Sequence, residues 1–269
     1  MSVTITYLAD AQIFTEETYE KILASLASSD TDTRIQILYR DASSLQQGGA
    51  RVYDLKTKKL VTKESFKDGK LDGLAEEFDA VTGNCTWRGN YKDGKLHGLA
   101  KEFDATTGNC TWRGSYKEDK LDGLVEGFDA ATGNCIEREN YKDDKLDGLA
   151  EKFDTATGNC IERENYKDDK LDGLSEKFYA DTGKCAGQGN YKDNKLDGLV
   201  EKFSIETGET IRLGIYKNDA LVRDLTSSLR WIAFGDSVKA ILGIKVNRNP
   251  EQLYEDQRQA VFKAAGLNL

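Results

Sequence analysis

The sequence predicts a mainly β protein built as a tandem array of 25-residue hairpins, with mixed and helical segments at its ends. Three observations carry this. Tyr91, Tyr116, Tyr141, Tyr166, Tyr191 and Tyr216 hold one register with Phe66 as first member, and Phe78, Phe103, Phe128, Phe153, Phe178 and Phe203 hold another. A period of this size marks a repeat array whose units contact mainly their neighbours. Within each period, two short segments alternate in side-chain type and are bounded by turn residues, the pattern of a hairpin rather than a helix. Glycines recur in step with them: Gly83, Gly108, Gly133, Gly158, Gly183 and Gly208 share one turn position, where the absence of a Cβ fits a positive φ.

In chain order, residues 1–47 do not repeat. VTITYLA reads as a strand, TEETYEKILASLASS as a helix capped by Thr15, and TRIQILYR as a second strand. This strand-helix-strand segment is expected to cap the first edge of the sheet, since an unpaired edge invites aggregation; a separate recognition domain is the alternative. Residues 48–217 hold about seven hairpins. In their second connection, Gly69, Gly94, Asp119, Asp144, Asp169, Asn194 and Asp219 occupy one position. These residue types tolerate the left-handed conformation, so the acidic look of this loop reads mostly as turn chemistry. With Phe78 set across from Trp87, residues Leu74, Phe78, Cys85, Trp87 and Tyr91 share one face, and Glu77 meets Arg88 on the other; a slip of one residue would exchange the faces. In residues 218–269, Trp231, Phe234, Val238, Ile241 and Leu242 recur at helical spacing, and Asn249–Pro250 opens a second helix that Gly266 ends. Both helices are expected to fold over the last hairpin as a cap, with membrane insertion of the first as the sharper alternative.

The pattern aromatic-Lys-Asp-Gly-Lys-Leu-Asp-Gly-Leu, then Glu-Phe, then a Thr-Gly turn, resembles the variant MORN repeat of bacterial proteins. The match covers residues 66–217, and a worn unit precedes it: Tyr53 and Asp54 stand 25 residues before Phe78 and Asp79, and Leu60 stands 25 before Cys85. The resemblance implies a single-layer, twisted antiparallel sheet of successive hairpins. It also implies a role, because some bacterial proteins built of this repeat look like antitoxins or immunity proteins. The family offers no catalytic residues to transfer.

Composition fits a thin sheet wetted on both faces: 38% of residues are hydrophobic and 32% charged. The net charge of −9 argues against a nucleic-acid or anionic-lipid surface and suits a basic partner. The five cysteines, Cys85, Cys110, Cys135, Cys160 and Cys185, share one repeat position. Equivalent residues in successive hairpins stand about two strand spacings apart, roughly 9–10 Å, whereas a disulfide needs Cα atoms within about 7 Å. They are therefore expected to be reduced, half-buried fillers. No metal and no cofactor is expected, since the spacing does not suit zinc and the one histidine, His97, stands in for a loop aspartate. No signal segment and no long apolar run is recognisable, so the expected compartment is the cytoplasm.

Units this alike fix a scaffold, and the positions that vary point to a specific surface. One varying column reads Trp87, Trp112, Glu137, Glu162, Gly187, Arg212; two residues on, another reads Gly89, Gly114, Glu139, Glu164, Gly189, Gly214. The expected partner-binding residues are Trp87 and Trp112 as amphipathic anchors, with Glu137, Glu139, Glu162 and Glu164 as an acidic patch for a basic partner. The bland alternative has the tryptophans packing on Phe78 and Phe103 and the glutamates simply solvated. Paired glutamates for acid-base catalysis need a closed pocket that an open sheet does not offer. With no phosphate loop and no nucleophile motif, the chain is not expected to be an enzyme. The expected function is protein binding, as an immunity or antitoxin protein that neutralises a cognate, basic toxin by direct contact; the alternative is a non-enzymatic scaffold or membrane-associated assembly protein.

Overall fold

The computed structural model describes residues 3–8, 34–40, 46–54 and 56–226. These residues are mainly β and contain no α-helix, and no helix among them is long and apolar enough to cross a membrane. The helix expected after Thr15 and the two expected C-terminal helices lie outside the described residues. The chain divides into two compact units, Met1–Asn134 with Lys142–Asp144, and Cys135–Tyr141 with Lys145–Leu269.

The first unit holds β1 (Val3–Leu8), β2 (Arg34–Arg40), β3 (Gln46–Asp54), β4 (Leu60–Lys67), β5 (Lys70–Leu71), β6 (Gly73–Phe78), β7 (Cys85–Lys92), β8 (Lys95–Phe103), β9 (Cys110–Lys117) and β10 (Lys120–Phe128). Strands β2 to β10 pair antiparallel in chain order, with β4 passing from the short β5 to β6. The exception to the expected antiparallel pattern is β1, which runs parallel to β2. The second unit holds β11 (Cys135–Lys142, its last residue excepted), β12 (Lys145–Phe153), β13 (Cys160–Lys167), β14 (Lys170–Phe178), β15 (Cys185–Lys192), β16 (Lys195–Phe203), β17 (Thr210–Lys217) and β18 (Ala220–Asp224). From β12 to β18 each strand pairs antiparallel with the next.

Two turn chemistries generate these hairpins. At one end the residue pairs Asp68–Gly69, Glu118–Asp119, Asp168–Asp169 and their equivalents all have positive φ, for instance 51° and 77° at Asp68 and Gly69. Two successive left-handed residues define the type I′ turn, whose twist matches that of the strands it joins. The acidic residue here does more than turn the chain. Asp119 Oδ1 accepts the Leu96 amide at 2.7 Å while its own amide donates to the Leu96 carbonyl at 2.9 Å, stitching one repeat to the last. Asp144, Asp169, Asn194 and Asp219 bind Leu121, Leu146, Leu171 and Leu196 in the same way. At the other end Asp79 accepts the amide and hydroxyl of Thr82 at 2.6 and 2.9 Å, closing a loop that ends on Gly83 at φ 81°. Those bonds hold the Asp79 carboxyl below its ordinary range.

The register differs from the expected one by a single residue. Glu77 pairs with Trp87, Glu76 with Arg88, Ala75 with Gly89 and Gly73 with Tyr91, while Phe78 pairs with Cys85 across a bulge at Thr86. The faces are therefore exchanged relative to the expectation: Trp87 and Tyr91 lie with Ala75 and Glu77, and Phe78 lies opposite them. Glu76, 8% exposed, takes the arginine expected for Glu77, at 3.2 Å from Arg88 and 3.3 Å from Lys63. On this ion-pair face each arginine covers the phenylalanine of the following repeat, at 5.4 Å for Arg88 over Phe103 and 5.6 Å for Arg163 over Phe178. The five cysteines are free and half-buried, as expected; Cys85 and Cys110 each direct a thiol to the carbonyl of the residue two further on, at 3.3 Å. Burial raises the Cys160 and Cys185 thiols.

Candidate functional site

Strand alternation places one row of side chains across each unit at the level of the varying tryptophan column. In the first unit the row runs Thr62, Glu77, Trp87, Glu102, Trp112, Gly127, each residue paired with the next through β4, β6, β7, β8, β9 and β10. Glu102 thus stands between the two tryptophans. The neighbouring row on the same face holds Ala75, Gly89, Ala100, Gly114 and Val125, all buried.

The glycines in that second row explain how the tryptophans lie. A Cβ on Gly89 would sit 2.5 Å from the Trp87 six-membered ring, and one on Gly114 would collide with Trp112 in the same way. Each indole therefore lies along its own strand over the glycine two residues on, and both tryptophans are half-buried. Tyr91 and Tyr116 close the next step, with centroids 6.2 and 6.1 Å from Trp87 and Trp112 and planes tilted by 54° and 56°. The tryptophans pack on these tyrosines and not on Phe78 and Phe103, which the corrected register puts on the other face.

Two carboxylates of this face have no cation beside them among the described residues. Glu77 and Glu102 are exposed, and neither makes an ion pair among the described residues. Glu64, on the same face of β4, has its carboxyl pushed up, first by burial and then by the charge of Glu77.

In the second unit the same row reads Lys152, Glu162, Lys177, Gly187, Lys202, Arg212. Here the acid is matched: Glu162 lies 3.2 Å from Lys152 and 3.0 Å from Lys177. Burial works to raise its pKa, and the two lysines together outweigh this and hold it low. Where the first unit has glycine under an indole, the second has Glu139 and Glu164, which accept hydrogen bonds from Tyr141 at 2.9 Å and Tyr166 at 2.7 Å. Burial, followed by the bond to Glu139, pushes the Tyr141 hydroxyl up to about 12, and the same two causes raise Tyr166.

Of the residues singled out from sequence, Trp87 and Trp112 are thus brought to one face of the first unit, separated by one strand. Glu137, Glu139, Glu162 and Glu164 share one face of the second unit, three of them with partners from their own unit. Sequence reasoning set Glu77 against Arg88 rather than in the site and passed over Glu102. Their column, Glu77, Glu102, Gly127, Lys152, Lys177, Lys202, changes sign along the chain and carried the signal. Among the described residues no group of three or more His, Cys, Asp or Glu is arranged to hold a metal ion, and His97, expected in a loop, is exposed on β8.

No family model and no curated protein matches this chain. Solved structures of TarM align with parts of it: one at 14% identity and TM-score 0.26 over 49% of this chain and 25% of that one, another at 13% and 0.27 over 52% and 32%. The second is a mutant of the S. aureus protein in complex with Fondaparinux, alpha-GlcNAc-glycerol and UDP. The chain therefore spans only a quarter to a third of the structures it aligns with. TarM is a glycosyltransferase, so the expectation that this chain is not an enzyme is corrected: a resembling stretch occurs within one. At these TM-scores the likeness assigns no activity and no substrate.

Proposed function

We propose that this chain is a protein-binding array of MORN-like repeats that acts as an immunity or antitoxin protein, neutralising a cognate basic toxin by direct contact. The single observation behind this is the face of the first unit, where half-buried indoles alternate with exposed carboxylates that lack a cation among the described residues. Amphipathic aromatic side chains are the residues that most often anchor protein interfaces. Unmatched carboxylates around them favour a cationic partner and speed its encounter. The repeat pattern adds the toxin-antitoxin context by analogy with proteins of similar sequence, a weaker warrant. A reducing cytoplasm suits five cysteines that form no disulfide.

The test is recovery of the partner from the native cell on tagged full-length protein, followed by expression of the candidate alone and together with this chain. The expected outcome is one small basic protein, toxic alone and harmless when co-expressed, whose retention weakens with added salt. Retention of nothing but the chain itself, or loss of rescue with binding intact, would overturn the reading.

A further inference from the structure

The aromatic face of the first unit carries a more specific chemistry, which rests on the protein-binding reading above. We propose that each Trp–Tyr step, Trp87 with Tyr91 and Trp112 with Tyr116, receives one arginine or lysine side chain of the partner, with Glu102 between them holding the two cations. Three features of the face point there together. The indoles lie over glycine and are only half-buried, and the tilted tyrosine beside each gives a trough rather than a flat floor. A cation above such rings is attracted by their quadrupole, and a guanidinium also stacks on them. Glu77 and Glu102 flank Trp87, and Glu102 also flanks Trp112, so every ring has a carboxylate on an adjacent strand.

The second unit supplies the control that makes the charge argument sharp. In the same row it sets lysines on both sides of Glu162. The backbone therefore accommodates an internal counter-ion at this position, and the first unit lacks one there among its described residues. The cation missing from Glu102 is the partner's to bring.

The spacing narrows what the partner presents. Trp87 and Trp112 are separated by one strand, so their steps repeat at about 10 Å. A polyproline II segment crossing the strands repeats every three residues, about 9.3 Å. A helix lying the same way offers residues seven apart, about 10.5 Å. Two basic residues three apart in an extended proline-rich segment, or seven apart on a helix, fit both steps at once. An extended β-strand fits poorly, because residues three apart face opposite sides.

The test uses the full chain and follows its indole N–H resonances by NMR, assigned with Trp87→Phe and Trp112→Phe. The probes are a proline-rich peptide with two arginines three residues apart, the same peptide with citrulline in their place, and one with the arginines five apart. Both indoles should shift with the first peptide, which should bind at least tenfold more tightly than either of the others, and Glu102→Gln should weaken it at least fivefold without altering the fold by circular dichroism. Equal affinity for the arginine and citrulline peptides, or no effect of Glu102→Gln, overturns the proposal. If the indoles respond to neutral oligosaccharides and not to arginine, it is likewise overturned. The two readings fail separately: a toxin captured through Trp87 and Trp112 with no arginine preference sinks only the cation chemistry, whereas arginine selectivity with no toxin recovered sinks only the immunity role.

Discussion

The two units place different chemistry on one backbone plan. In the first, a row of the exposed face alternates glutamate with tryptophan; in the second, the row at equivalent repeat positions alternates lysine with glutamate and ends in Lys202 and Arg212. The turns, bulges and arginine-on-phenylalanine steps are the same in both. What the difference teaches is that two columns of the repeat carry the specialisation. A glycine two residues after the tryptophan leaves room for the indole along its strand, whereas a glutamate there turns to the tyrosine and the row becomes self-neutralised.

The comparison breaks most severely where the shared scaffold is attacked. Gly173 has φ 131° and a Cβ there would lie 2.9 Å from the Asn165 Cβ, while at Gly98 φ is 96° and the nearest approach is 3.9 Å. Gly173→Val should cost about 3 kcal/mol from strain and overpacking together, and Gly98→Val about half of that. Urea unfolding of the two variants measures both.

Exchanging the columns tests the specialisation itself. Gly89→Glu, with Trp87 retained, should destabilise by about 2 kcal/mol as the ring is displaced. Adding Trp87→Glu should restore most of that, and a double-mutant cycle should return about 1–2 kcal/mol of coupling. Additive effects would mean that the ring does not depend on the glycine.

Charge matching gives a smaller contrast. Glu162→Gln should cost about 0.5–1 kcal/mol, whereas Glu102→Gln should leave stability within about 0.5 kcal/mol. Because the folded-state pKa of Glu162 is depressed below its ordinary 4.5, its contribution is present above that value and is lost as pH falls through the folded pKa. The difference between wild type and Glu162→Gln should therefore close on acidification below about pH 4.5, which denaturant melts at pH 3 and pH 7 would check.

The smallest effect sits at Tyr141. Its folded pKa of about 12 lies above the ordinary 10, so the protonated hydroxyl contributes stability below pH 10 that is lost as pH rises through 12. Tyr141→Phe should cost about 0.5 kcal/mol at neutral pH, and absorbance titration should show Tyr141 ionising later than an ordinary tyrosine.

Much of this fold is legible in sequence because its determinants are local. The left-handed positions announce themselves as Gly, Asp and Asn, and the period fixes which residues are equivalent. Register was not legible, since the bulge at Thr86 shifts pairing by one residue and no residue type demands it, and that shift moved Trp87 from the Phe78 face to the Glu77 face. The site was half legible. Trp87 and Trp112 stand out as exceptions within their column, but Glu77 and Glu102 look like ordinary strand charges until pairing sets them beside the indoles. Equally, nothing short of cross-strand pairing shows that Glu162 lies between Lys152 and Lys177.

The most direct test of the account compares two variants of the full chain for affinity to the recovered partner. One carries Trp87→Ala, Trp112→Ala and Glu102→Gln; the other carries Glu137→Gln, Glu139→Gln, Glu162→Gln and Glu164→Gln. The account expects the first to lose at least a hundredfold in affinity and the second to stay within about threefold of wild type, consistent with hot-spot losses of roughly 2–4 kcal/mol. Retained affinity in the first variant, with loss in the second, would contradict it and move the binding surface to the second unit.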